Sequence, residues 1–189
     1  MLRFFTHLIL LGTILHRSLV PTSLSISDKP AALIQEDRKI EIERQRKEKR
    51  VELEAQVRSY LESKNSPLAD VVPYLLTKKH WRLLIAISAI ESRYCTKMLY
   101  LNCWGIGGDY AYRHYDSLEE GIDDADALIS RWQAKGKWMT PEQMNCSYVV
   151  PCNKAWVRTV NSVTSELNAI VSRTVGSAAH DDAGTSTSH

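Results

Sequence analysis

Trp81-Arg82-Leu83-Leu84-Ile85-Ala86-Ile87-Ser88-Ala89-Ile90-Glu91-Ser92 is the stretch whose reading decides the fold. It is apolar nearly all round, and a helix of that kind is buried. The pattern predicts a helix over about 81–94. His80, Leu84, Ile87 and Glu91 fall at i, i+4, i+7 and i+11, so one face carries an apolar stripe that ends in a carboxylate. Desolvation and the negative end of the helix dipole both disfavour a charged acid there, so the pKa of Glu91 is expected to rise. A carboxylic acid that keeps its proton near neutral pH suits general-acid chemistry, such as protonating a glycosidic oxygen. The same pattern also fits an acid paired with Arg82, Arg93 or a loop amide.

Downstream, residues 95–115 read as a Gly- and Tyr-rich loop with a short hairpin near Tyr110–Tyr115. Ser117-Leu118-Glu119-Glu120 is a capping box. It opens a helix whose inner face is Leu118, Ile122, Ala125, Ile129 and Trp132. Thr140-Pro141-Glu142-Gln143 opens a shorter one by the same logic. Asn153 caps a last helix with Trp156, Val160, Val163, Leu167 and Ile170 on one stripe, ended by Gly176. The small, polar residues 176–189 read as a disordered tail.

Upstream, Ser66 as N-cap with Pro67 at the first helical position starts a helix that Pro73 should kink or divide. Residues 31–63 read as one charged helix with interleaved acids and bases, including the spacings Glu43–Lys47 and Lys39–Glu43. Its apolar seam is short: Leu53, Val57 and Tyr60. A solvated stalk is the first reading, with a coiled coil or a helix docked on the domain as alternatives. No convincing strand pattern occurs. The expected architecture is an all-α domain over 64–175, preceded by a stalk that the domain does not need in order to fold.

The chain has 189 residues and a net charge of +2, too small a basic excess for a nucleic-acid binder. Met-Leu-Arg followed by an apolar run from Phe4 to Leu15 reads as an export signal within residues 1–27. An uncleaved membrane anchor is the alternative. Four cysteines in an exported chain read as disulfides, and the short spacings favour Cys95–Cys103 and Cys146–Cys152. Neither pair has zinc-knuckle spacing or a nearby His, so no metal is expected, and no cofactor.

The segment 81–92 resembles the catalytic helix of the lytic transglycosylases, members of the lysozyme-like superfamily, in which Glu-Ser closes the helix. Asn102-Cys103-Trp104-Gly105-Ile106-Gly107-Gly108 resembles the Gly-containing loop that follows. Tyr115-Asp116-Ser117-Leu118-Glu119-Glu120-Gly121-Ile122 is similar to the entry into the next helix, and Tyr148 and Trp156 fall where a Tyr motif and a final helix stand. Two details differ: no Gln follows the loop Gly, and Val149 follows Tyr148 where the family has Asn. The resemblance spans about residues 60–172. It implies a lysozyme-like, transglycosylase-type fold and a glycosidase that cuts the glycan backbone of peptidoglycan, with Glu91 as acid.

On that resemblance Ser92, Asn102, Trp104, Gly105 and Tyr148 become candidate substrate contacts. Asp109 and Asp116 are candidates for the second carboxylate that hydrolysis by water normally uses. The expected partner is a peptidoglycan strand, met in the periplasm or at the cell surface, with the membrane close by through the N-terminal segment. An endo-N-acetylglucosaminidase on the same scaffold and a non-catalytic wall-binding protein are the rival readings. The oligomeric state is open.

Overall fold

The computed structural model describes residues 31–108 and 111–176. The export segment, Asp109 and the tail beyond Gly176 lie outside the described residues. The described chain is mostly helical, as an all-α class requires. In order come α1 (Ala31–Glu62), a 3-10 turn (Pro67–Val71), α2 (Val72–Leu75), α3 (Trp81–Glu91), β1 (Gly107–Gly108), β2 (Ala111–Tyr112), α4 (Leu118–Gln133), α5 (Pro141–Met144) and α6 (Lys154–Gly176). Among the described residues no helix is long and apolar enough to cross a membrane. The chain divides into two compact units at Ile40/Glu41. In the first, Leu33, Ile34 and Ile40 are exposed. The second holds everything that follows.

The charges of α1 pair with different partners from those the spacing suggests. Arg44 bonds both Glu41 and Glu48, Arg50 bonds Glu54, Arg46 approaches Glu43, and Lys39 approaches Glu36. The expected Glu43–Lys47 and Lys39–Glu43 pairs are not formed. Arginine's forked guanidinium can hold two carboxylates at once, and Arg44 does so between Glu41 and Glu48. These exposed pairs contribute little to stability.

The last turns of α1 behave otherwise. Val57 and Leu61 are fully buried, Leu53 and Tyr60 pack against the same core, and the Arg58 guanidinium donates to the Ala69 carbonyl. The boundary expected at 63/64 is therefore corrected: the packed unit reaches back into α1. Residues 53, 57, 60 and 61 share one helical face, and that face turns inward although the rest of the helix is charged.

Local chemistry accounts for most helix ends. Ser66 Oγ accepts the Leu68 N–H at 3.2 Å and starts the 3-10 turn. Pro73 then stands at the beginning of α2, so the segment is divided rather than kinked. Ser117 Oγ accepts the Glu120 N–H, and the Glu120 carboxylate accepts the Asp116 N–H, one residue before the usual capping-box partner. Thr140 caps α5, and Asn153 Oδ1 accepts from Ala155 and Trp156 at the start of α6.

α3 packs chiefly on α6, with α4 on another side. Leu84, Ile85 and Ile87 are buried with Ile122, Ile129, Val160 and Leu167 in one core. α3 stops at Glu91, three residues short of expectation, because Arg93, Tyr94 and Cys95 all adopt left-handed backbone (φ 51°, 57° and 67°). The hairpin also lies earlier than expected: Gly107 pairs with Tyr112 and Gly108 with Ala111. A side chain at Gly107 would meet the Ala111 carbonyl oxygen at 2.6 Å. Both short-range disulfides, Cys95–Cys103 and Cys146–Cys152, are formed as the spacing led us to expect.

The buried end of α1 gives a stability test. Leu61→Ala should cost about 2–5 kcal/mol, as large-to-small core substitutions do, and lower the urea midpoint accordingly. A chain begun at Lys64 should fail to fold, whereas one begun at Glu41 should give a cooperative transition. A cooperative, native-like transition from the Lys64 chain would contradict the inward role of Val57 and Leu61.

Candidate active site

Glu91 is the last residue of α3, and the left-handed turn after it leaves the side chain at the mouth of a cleft. The residue is exposed, not buried in continuation of the stripe. Its carboxyl group is nevertheless flanked on two sides. Trp156 of α6, itself buried, donates its indole Nε1–H to Oε1 at 2.8 Å. Gly105 (φ +64°) approaches the other oxygen so closely that a methyl group there would stand 3.1 Å from Oε2.

These walls desolvate the carboxyl and push its pKa above the ordinary carboxylate value, while the Trp156 bond pulls it part of the way back. The partner of the acid is thus an indole, and not Arg82, Arg93 or a loop amide. Arg82 lies over the Trp81 ring, 4.5 Å from its centroid.

The loop beside the acid is held from within. Ser92 Oγ donates to the Cys103 carbonyl at 2.7 Å and accepts the Cys95 N–H at 3.1 Å. Asn102 Oδ1 accepts from the Trp104 and Ile106 amides, and its Nδ2 donates to the Ile106 and Arg113 carbonyls. Ser92 and Asn102 line the cleft, but their polar atoms are committed to shaping the loop. Trp104 departs from its expected role as a sugar platform. It is fully buried with its indole donating to the Leu84 carbonyl at 3.0 Å, so neither ring face is free.

Two cavities meet at Gly105. One is lined by Glu91, Ser92, Lys97, Leu99, Asn102, Gly105 and Tyr112. The other is lined by Gly105, Ile106, Gly107, Leu128, Trp132, Trp138, Ser147 and Tyr148. Tyr148 links the second cavity to the acid. Its hydroxyl donates to the Trp104 carbonyl, and its ring lies 5.4 Å from Trp138 and 5.7 Å from Trp156. Burial, and then the negative charge of Glu91, hold the phenol well above its ordinary pKa, so it remains neutral.

The structure therefore brings together Glu91, Gly105 and Tyr148, uses Ser92 and Asn102 as the frame, and removes Trp104 to the core. Asp116 is exposed at the entry of α4, its amide held by Glu120, and it lines neither cavity. No cluster of three or more metal-ligating side chains occurs among the described residues. Sequence reasoning missed Trp156 as a partner of the acid because it sits in a regular apolar stripe, which reads as core. It also missed Trp132, Trp138, Lys97 and Tyr112, for which no spacing rule relates them to residue 91.

Comparison with protein-family models, with curated proteins and with solved structures finds no match to this chain.

The raised pKa predicts a pH-dependent stability difference. In the window between the unfolded and folded pKa values of Glu91, the native state binds more protons than the unfolded one. Native stability should therefore fall as pH rises through that window and then level off. Glu91→Gln, whose amide oxygen can still accept from Trp156, lacks that loss. Thermal melts should show the variant gaining on wild type as pH rises from about 4 to neutrality; a constant difference across that range would contradict the desolvation of Glu91.

Proposed function

We propose that this chain is an exported peptidoglycan glycosidase of lysozyme-like, transglycosylase-type architecture, with Glu91 as its general acid and base. The observation that carries the reading is the placement of one partly shielded carboxyl group, held by Trp156 and flanked by Gly105, where two clefts share Gly105. A glycan threaded through both would present a glycosidic oxygen to that acid. Half-buried Tyr148 and Trp132 add the apolar ring surface that a pyranose favours, with buried Trp138 stacked on Trp132. Two disulfides suit an oxidising compartment such as the periplasm or cell surface.

In the proposed reaction the proton of Glu91 passes to the bridging oxygen as the C1–O bond of the muramoyl residue breaks. The carboxylate left behind then takes the proton of that sugar's own 6-hydroxyl, whose oxygen bonds to C1 and closes a 1,6-anhydro ring. One residue serves both steps, and a pKa raised above the ordinary carboxylate value favours the protonated form that the first step needs. This route is preferred over attack by water because no second carboxylate lines either cavity among the described residues.

Glu91→Gln should fold and lose wall-lytic activity by roughly 10²–10⁴-fold, the scale of general acid–base catalysis. Activity near the wild-type level would end the assignment. Mass spectrometry of muropeptides from purified peptidoglycan should find anhydro ends, one water lighter than reducing ends. Reducing muramic acid instead would mean a muramidase and direct attention to Asp109; reducing N-acetylglucosamine would mean a glucosaminidase. Binding without any cleavage would leave an envelope-binding protein.

A further inference from the structure

The two oxygens of Glu91 have different surroundings. Oε1 accepts from the Trp156 indole at 2.8 Å, whereas Oε2 faces Gly105. An indole N–H is a donor and never an acceptor. The oxygen it meets must therefore present a lone pair in both protonation states of the acid. A carboxylic O–H placed on Oε1 would leave that bond to the weaker acceptor and turn the carbonyl oxygen toward the cleft. Trp156 is 2% exposed and sits in the α6 stripe with Val160, Val163 and Leu167, so its ring has little freedom to turn away. Gly105 is the residue common to the linings of both cavities.

We infer that Trp156 is a positioning residue that confines the transferable proton of Glu91 to Oε2, above Gly105 where the two cavities meet. The bond that is cut then lies over Gly105, with the glycan on one side among Leu99, Lys97 and Tyr112 and on the other beside Trp132 and Tyr148. A side chain at Gly105 would occupy the space where the proton is delivered, a reason for glycine there besides its left-handed backbone. The place of cleavage rests on the glycosidase reading above; the place of the proton does not.

The test separates the two. In the wild-type protein, the ¹⁵N-indole resonance of Trp156 should move downfield as Glu91 ionises, with the same midpoint as the ¹³C carboxyl signal of Glu91. In Glu91→Gln the indole resonance should not titrate. Trp156→Phe removes the donor, so the Glu91 midpoint should rise. Because the protonated acid is the active form, the alkaline limb of kcat should shift upward with it while KM changes little. An indole resonance in the wild type that ignores Glu91, or an unchanged midpoint in a folded Trp156→Phe, would overturn the inference. If Trp156→Phe does not fold, the wild-type and Glu91→Gln spectra decide it alone. An indole that stays hydrogen-bonded below the Glu91 midpoint, in a protein that cuts no glycan, would uphold the proton placement and reject the proposed activity; an indole released to the shift of a free indole below that midpoint would overturn the placement.

Discussion

Burial of Trp104 is the constraint on which the rest of the site depends. Its ring occupies the core behind α3 and its indole donates to the Leu84 carbonyl, so the loop that follows the helix must double back over it. Removing some 200 Å² of aromatic surface from water contributes about 5 kcal/mol, and the Cys95–Cys103 bond adds about 2–3 kcal/mol. Against this stand three consecutive left-handed residues, Arg93 to Cys95, at about 1–3 kcal/mol each. The terms are of the same order, which is why the sharp turn survives. It ends α3 at Glu91 and brings Gly105 to the acid. Gly121 completes the fit: a methyl group there would stand 2.9 Å from the Trp104 ring, so α4 can approach only without one.

The electrostatics at Glu91 follow from that geometry. Desolvation is the larger effect and raises its pKa; the indole bond opposes it and holds Oε1. The cations nearest in sequence form no ion pair with the carboxyl: Arg82 lies over the Trp81 ring, and Arg93 is exposed. A guanidinium against the carboxyl would have lowered the pKa and turned the acid into a permanent anion. A neutral donor orients it and leaves it able to hold a proton.

The second cavity is supported by its own network. Trp132 and Trp138 stack at 5.0 Å, and Trp138 meets Tyr148 edge-on. Gln133 donates to the Trp138 carbonyl and presents its own oxygen to His80 Nε2 at 2.9 Å, while Asp126 takes both the backbone N–H and Nδ1 of His80. The start of α3 is thereby tied to the end of α4 and to the aromatic wall. The Cys146–Cys152 bond closes the turn that carries Tyr148. Ser147 fixes that turn against Trp138 by accepting its indole N–H at 2.6 Å.

Much of this was legible in the sequence because it is local. Apolar periodicity marked α3, α4 and α6; Ser66, Ser117, Thr140 and Asn153 marked helix starts through bonds to amides two or three residues on; and the short cysteine spacings indicated their pairing. Glu91 stood out for the same reason, as a carboxylate at the end of an apolar face. Partners far apart along the chain left no such trace. Trp156 lies 65 residues from Glu91, and the stripe that holds it reads as core whether or not its indole meets an acid. Trp104 sits beside Gly105 in a loop, and only packing sends one into the interior and leaves the other at the cleft. The inward face of α1 was visible as the seam Leu53, Val57 and Tyr60, but the spacing could not say whether that seam docks on the domain. Sequence periodicity says which residues share a face of one element; which surface that face meets is settled only when the elements pack, and the acid, its donor and its cleft exist only after that.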